Sequence, residues 1–187
     1  MKRLVIVPLA LLQGGNTQRN TELLEQMAAL AKSLKRYAED FFALENRKDT
    51  SVKNVDASFQ EVLMLCSESP KAQPTVEIFQ KTFGVLPGLH QELCSTDGHK
   101  VSLKNLNDLV DAQRSSIVVL ITDEYYRKTY PAYFSLMHKY RKPFGEIDLA
   151  VGQAFVINND KTSPSYGSSE IVNGVVITTQ VPQAVEA

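Results

Sequence analysis

The side chains best suited to chemistry in this sequence are its three histidines, because an imidazole can act as a nucleophile, a base or a metal ligand. They are His90, His99 and His138. Their spacing matches no zinc site, and Asp97 beside His99 adds only one further potential ligand. His90 and His99 lie in loop-like segments, and His138 lies among basic residues late in an aromatic-rich segment. We interpret all three as ordinary surface or loop residues, and we expect no metal and no cofactor.

The second candidate is the short polar segment formed by Gly14, Gly15 and Asn16, which precedes a predicted helix. Backbone N–H groups at a helix N-terminus can hold an anion. The segment has neither the spacing of a phosphate-binding P-loop nor that of a dinucleotide-binding loop. We therefore interpret it as a plain turn, with an anion cradle as the alternative.

Composition limits the classes of protein to consider. The chain has 187 residues, which predicts a single domain over 1–187. Its 20 basic and 21 acidic residues nearly balance, and this balance argues against a dedicated nucleic-acid binder or a binder of anionic membranes. Cys66 and Cys94 show no CxxC spacing, and Cys66 lies among apolar residues. We expect Cys66 in the core, in a protein suited to a reducing compartment.

The first twelve residues combine two basic residues with an apolar run, so they permit two interpretations. A buried first strand is the favoured one, because no small-x-small cleavage site follows the run. A signal peptide is the alternative. No apolar stretch approaches the ~20 residues that a membrane-spanning helix needs. A soluble protein in the cytoplasm is therefore expected.

Periodicity predicts strands that alternate with helices. The predicted strands cover 2–7, 61–67, a short piece near 91–93, 116–122, and parts of 146–158 and 173–180. The first predicted helix begins after an N-cap at Thr21. The other predicted helices cover 74–83, which Gly84 ends, 102–113 and about 124–140. A polar loop is expected at about 45–57, a flexible loop at about 159–172, and a tail at about 181–187.

This alternation predicts a three-layer α/β/α sandwich with a mostly parallel central sheet. Ligands of such sheets gather beyond the carboxyl ends of the strands. The residues that follow Val7, Cys66 and Thr122 are therefore the expected location of a site.

Four segments resemble the histidine phosphatase superfamily, which has a phosphoglycerate-mutase-like fold, and in particular its short phosphohistidine-phosphatase-like branch. Residues 66–79 (CSESPKAQPTVEIF) resemble its S-S-P-x-x-R-A-x-Q-T-A-E-I segment. Residues 118–123 (VVLITD) resemble a strand that ends in V-T-H, and 21–28 (TELLEQMA) resemble a helix start of the form L-T-x-x-G-x-x-Q-A. Residues 154–158 (AFVIN) resemble one of the final strands.

The resemblance implies a catalytic histidine in an R-H-G motif after the first strand, held in a cage of two arginines and a second histidine, with a carboxylic acid as proton donor. The R-H-G motif aligns with residues 8–10 (PLA) or, with an insertion, with 13–15 (QGG), and neither supplies an arginine or a histidine. Lys71 matches one arginine and lacks its planar fork. Asp123 matches the second histidine, and Arg127 lies one turn further along. Glu92 is only a weak match for the proton donor.

We therefore expect a catalytically inactive protein with the histidine-phosphatase fold, a pseudoenzyme that acts as a binding or structural module. One alternative is a phosphomonoesterase with a rearranged site, in which Asp123 would be the nucleophile. Another is an inactive binder of a phosphorylated ligand. Its candidate residues are Gly14, Gly15, Asn16, Lys71, Asp123 and Arg127.

The expected partners are a protein, a second copy of the chain, or a phosphate-like anion in the cleft, without nucleic acid or membrane. An aromatic set on the fourth helix could form part of a protein-binding surface. Core packing is the favoured interpretation of that set, which comprises Tyr125, Tyr126, Tyr130, Tyr133, Phe134 and Tyr140.

Overall fold

The computed structural model describes residues 1–48, 62–90 and 102–174. Its strands are β1 (Arg3–Pro8), β2 (Val62–Ser67), β3 (Gly88–His90), β4 (Ile117–Thr122), β5 (Gln153–Asn158) and β6 (Ser169–Asn173). Its helices are α1 (Thr17–Lys48), α2 (Gln73–Phe83), α3 (Leu103–Asp111) and α4 (Glu124–Met137). The order β-α-β-α-β-α-β-α-β-β is the predicted one, except that the third strand lies at 88–90, in a segment predicted to be loop-like.

The six strands form one sheet in the order β3-β2-β4-β1-β5-β6. Strands β1 to β4 run parallel to one another, and β5 and β6 are antiparallel to their neighbours. Strand β4, a continuous apolar run, is buried along its whole length between β1 and β2. The predicted three-layer sandwich with a mostly parallel sheet is therefore confirmed.

Side chains alternate between the two faces of the sheet, as the pleat requires. Val5 and Val7 of β1 belong to a core shared with α1 and α2. Leu4 and Ile6 belong to a second core shared with α3 and α4. The helices that follow β1 and β4 therefore cover opposite faces of the sheet.

Helix α1 differs from the prediction at both ends. It begins at Thr17, and the Asn16 side chain caps it by accepting a hydrogen bond from the Arg19 backbone N–H at 3.0 Å. The predicted cap at Thr21 is wrong, because its hydroxyl lies inside the helix and donates to the Thr17 carbonyl. The helix also extends through 45–48, part of the predicted loop, where Glu45 pairs with Lys2.

The C-terminal part of the fold contains three further differences. Residues 146–152 form no strand, because the backbone at Ile147 and Leu149 bonds to α4 instead. Residues 169–172 belong to β6 rather than to a flexible loop. The Asn158 amide donates to the Ser165 carbonyl at 3.0 Å and so ties down the turn before β6. The predicted strand residues 91–93 and 175–180 and the tail 181–187 lie outside the described residues, as do Cys94 and most of the loop at 45–57.

The remaining predictions for the core are confirmed. Cys66 is fully buried, and Gly84 ends α2 in the left-handed conformation at φ 71°. On α4 and the turn after it, the aromatic side chains pack in the core; the buried ones are Tyr126, Tyr130, Phe134 and Tyr140. No helix among the described residues is long and apolar enough to cross a membrane.

Candidate functional site at the carboxyl ends of β1 and β4

A cavity of about 230 Å³ lies where β1 and β4 end side by side. Because α1 and α4 leave these neighbouring strands toward opposite faces, a crevice opens between them, which is the usual place for a ligand in an α/β sheet. Two of the three expected strand ends, those after Val7 and Thr122, therefore border a cavity, and the residues after Cys66 do not line it. Its lining residues are Pro8, Leu9, Leu11, Gln13, Arg19, Leu23, Asp123, Glu124, Arg127 and Val151.

Asp123 stands in this cavity because it caps α4. Its backbone is extended, at φ −73° and ψ 178°, and one carboxylate oxygen accepts the Tyr126 backbone N–H at 3.2 Å. An aspartate cap satisfies a free N–H group and adds a negative charge at the positive end of the helix. Asp123 therefore has a structural role in addition to any role in the cavity.

Arg127 lies one turn further along α4 and is held by groups of its own chain. Its guanidinium donates to the Leu149 carbonyl and lies 3.4 Å from an Asp148 carboxylate oxygen and 4.0 Å from one of Glu124. Only 14% of the Arg127 side chain is exposed. Its positive charge is therefore largely compensated before any ligand arrives.

Arg19 also lines the cavity, and it was missed in the sequence. It occupies the first turn of α1, three residues after the Asn16 cap, and its side chain is exposed. Recognition of Asn16 as the helix cap would have identified Arg19, because a helix that starts at Thr17 places Arg19 at the carboxyl end of β1. Gln13, beside it, is held by two backbone hydrogen bonds with the Asn20 side chain.

The other predicted site residues do not line this cavity. Gly14 and Gly15 form an open turn with no heavy atom within 4 Å of a Cβ built there, and Gly15 has a φ of +82°. Asn16 serves as the helix cap, and Lys71 is exposed in the turn before α2. Of the six candidates, the structure brings together Asp123 and Arg127. A ligand-binding role for any of the six stays a prediction.

The charges of the cavity lining balance. Arg19 and Arg127 oppose Asp123 and Glu124. The Lys128 ammonium hydrogen-bonds Glu124 and, with the Arg127 charge, lowers the pKa of that carboxyl. Glu124 is therefore ionised at neutral pH, and the lining has no excess of positive charge. It also contains no histidine, cysteine, serine, threonine or tyrosine side chain among the described residues.

The histidines lie elsewhere or outside the described residues. His138 caps the C-terminus of α4 at the opposite edge of the sheet and stacks on Phe134 at 4.0 Å. Its Nε2 lies 3.0 Å from an Asp111 carboxylate oxygen, and 13% of the side chain is exposed. His138 lies in the turn that follows α4, in agreement with the prediction of a surface or loop residue. His90 ends β3, and His99, Asp97 and Glu92 lie outside the described residues. No group of three potential metal ligands occurs in the described part of the chain.

Fold and site together define an α/β protein with a small cavity at a switch point of its sheet. No protein-family model matches the sequence, and no curated protein matches it. Among solved structures, the chain is similar to the proposed phosphohistidine phosphatase SixA of Agrobacterium tumefaciens, at 11% identity and a TM-score of 0.44. The similarity covers 84% of this chain and 91% of that protein.

Two mycobacterial proteins are similar at the same level. Mycobacterial hydrolase 2 shows 10% identity and a TM-score of 0.46, over 95% of this chain and 93% of its own. Mycobacterial hydrolase 1 shows 11% identity and a TM-score of 0.42, over 93% of this chain and 97% of its own. Likeness at this level concerns the fold alone, so the function has to be inferred from the chain's own residues.

Proposed function

We propose that this chain is a catalytically inactive protein with a histidine-phosphatase-like fold, which acts as a binding module through the cavity at the ends of β1 and β4. The observation that carries the proposal is the lining of that cavity. It offers two arginines and two carboxylates but no imidazole, thiol or hydroxyl among the described residues.

Transfer of a phosphoryl group through a covalent intermediate needs a nucleophile. The only carboxylate placed directly at the end of β4 is Asp123, and one of its oxygens accepts the Tyr126 N–H. A carboxylate that caps a helix is stabilised as an anion, and attack on phosphorus would require giving up part of that stabilisation. The alternative of a phosphomonoesterase with Asp123 as its nucleophile is therefore the weaker one.

The charge balance also weakens the alternative of a binder specific for phosphate groups. Sites for transferring phosphoryl groups surround the spread negative charge with cations. Here Asp123 and Glu124 would face the phosphate oxygens, and Arg127 is already paired with Asp148. Lys71, which keeps a positive charge in the sequence alignment, does not line the cavity.

The test is an assay for phosphatase activity on the full chain with p-nitrophenyl phosphate and a phosphohistidine peptide. We expect turnover no higher than that of a buffer blank, for the wild type and for Asp123→Asn alike. Asparagine keeps the helix cap and removes the ionised carboxylate, so this variant separates chemistry from folding. Robust turnover by the wild type that is lost in Asp123→Asn would refute the proposal in favour of the rearranged phosphatase.

A further inference from the structure

The cavity at the ends of β1 and β4 has two kinds of wall. One side is apolar and consists of Pro8, Leu9, Leu11, Leu23 and Val151. Leu11 is 50% exposed although it lines a cavity, so a ligand with an apolar portion would remove further apolar surface from water. The apolar wall therefore favours a ligand that is not polar all round.

The other side carries both signs of charge. Arg127 is held by Asp148 and by the Leu149 carbonyl, while Arg19 is exposed at the start of α1. Asp123 brings a carboxylate to the same cavity from the start of α4. A purely anionic ligand would be repelled by the carboxylates, and a purely cationic one by the arginines. A ligand with one group of each sign is complementary to both.

The volume of the cavity limits the class of ligand further. The cavity of about 230 Å³ is smaller than the roughly 300–1,000 Å³ typical of pockets for drug-sized molecules. It is too small to enclose a nucleotide. A single zwitterion with a short aliphatic side chain fits the volume, the charges and the apolar wall together.

We propose that this cavity binds a free aliphatic amino acid, with its carboxylate on Arg19, its ammonium group on Asp123 and its side chain against Leu11 and Leu23. This proposal rests on the proposed function, because it takes the cavity as a binding site without chemistry. Gln13, whose backbone is held by the Asn20 side chain, lines the same cavity.

The test is thermal unfolding of the full chain with L-leucine, L-isoleucine, L-valine and L-methionine, followed by calorimetric titration. Ligand at about 100 times its Kd should raise the melting temperature by about 5–10 °C. Three probes each remove one part of the recognition: isoamylamine lacks the carboxylate, 4-methylpentanoate lacks the ammonium group, and glycine lacks the side chain. Each of these should raise the melting temperature by less than half as much.

Arg19→Gln and Asp123→Asn should each weaken binding of the best amino acid at least tenfold. Arg36→Gln is the matched control, because Arg36 is exposed on α1 and does not line the cavity. Three outcomes would overturn the proposal: no amino acid binds, inorganic phosphate binds as tightly as leucine, or Arg19→Gln binds like the control. The phosphatase assay is independent, so absent amino-acid binding without turnover would refute this proposal and leave the inactive protein standing.

Discussion

Replacing Asp123 separates the two ways in which this cap stabilises α4, through its hydrogen bond and through its negative charge. The Asp123 carboxylate accepts the Tyr126 backbone N–H at 3.2 Å, so Asp123→Ala leaves a free N–H group at the start of α4. Loss of such a cap costs about 0.5–2 kcal/mol of the free energy of unfolding. Asp123→Asn keeps the acceptor and loses only the favourable charge, which costs about 0.3–1 kcal/mol.

Urea unfolding followed by far-UV circular dichroism measures both variants. We expect the order wild type, Asp123→Asn, Asp123→Ala in decreasing stability, with unchanged m-values. In thermal unfolding, about 1 kcal/mol corresponds to roughly 2–4 °C at this chain length. Asp40→Ala is the control, because Asp40 is an exposed residue inside α1 and should change stability by less than about 0.5 kcal/mol. The reasoning about the cap is refuted if Asn destabilises as much as Ala.

Three other changes test the fold. Gly174→Ala should strongly destabilise the protein, because the Cβ of the alanine would lie 2.5 Å from the Leu30 backbone nitrogen of α1. Thermal unfolding followed by circular dichroism measures this, and an unchanged melting temperature would contradict the close approach. Phe79→Ala removes a fully buried ring and should lower the free energy of unfolding, measured with urea, by about 3–5 kcal/mol. A loss below about 1 kcal/mol would contradict this expectation. Burial raises the pKa of Tyr130 well above its usual value, so the unfolded chain ionises first and stability falls as pH rises above about 10. In urea unfolding at pH 8 to 11, this tyrosine should lower the free energy of unfolding by up to about 1.4 kcal/mol per pH unit. Tyr130→Phe should abolish this contribution, and an equally steep loss in the variant would count against this cause.

The sheet could be predicted from the sequence because its central strands are buried on both faces. Such strands are continuous apolar runs, and β1 and β4 stand out from their neighbours for that reason. The end of α1 could not be predicted, because its last turns are charged and resemble a loop. The buried Phe41 and the pairing of Glu45 with Lys2 show that this part of the helix packs on the rest.

Residues 146–152 illustrate a different limit. Their alternation of apolar and polar residues is typical of an edge strand, but their backbone groups bond to α4. Alternation indicates which side chains are buried, but it does not indicate where the backbone groups find their hydrogen-bond partners. The order of the strands could therefore be predicted more reliably than their lengths.

The position of the cavity was predictable, and its lining only in part. Asp123 and Arg127 were expected from the end of a strand and the helix after it, and both line the cavity. Arg19 was missed because the cap of α1 was placed five residues too late, at Thr21 instead of Asn16. Lys71 was chosen by alignment to a motif, and the turn before α2 leaves it exposed.

A catalytically inactive chain forms no covalent phosphoenzyme. The direct measurement is incubation of the full chain with a ³²P-labelled phosphoramidate, followed by rapid quenching and gel analysis of protein-bound label. The account predicts no label above that of heat-denatured protein. Label that is stable to alkali and lost in acid would indicate a phosphohistidine, and label released by hydroxylamine and absent from Asp123→Asn would indicate an acyl phosphate at Asp123. Either result would contradict the account.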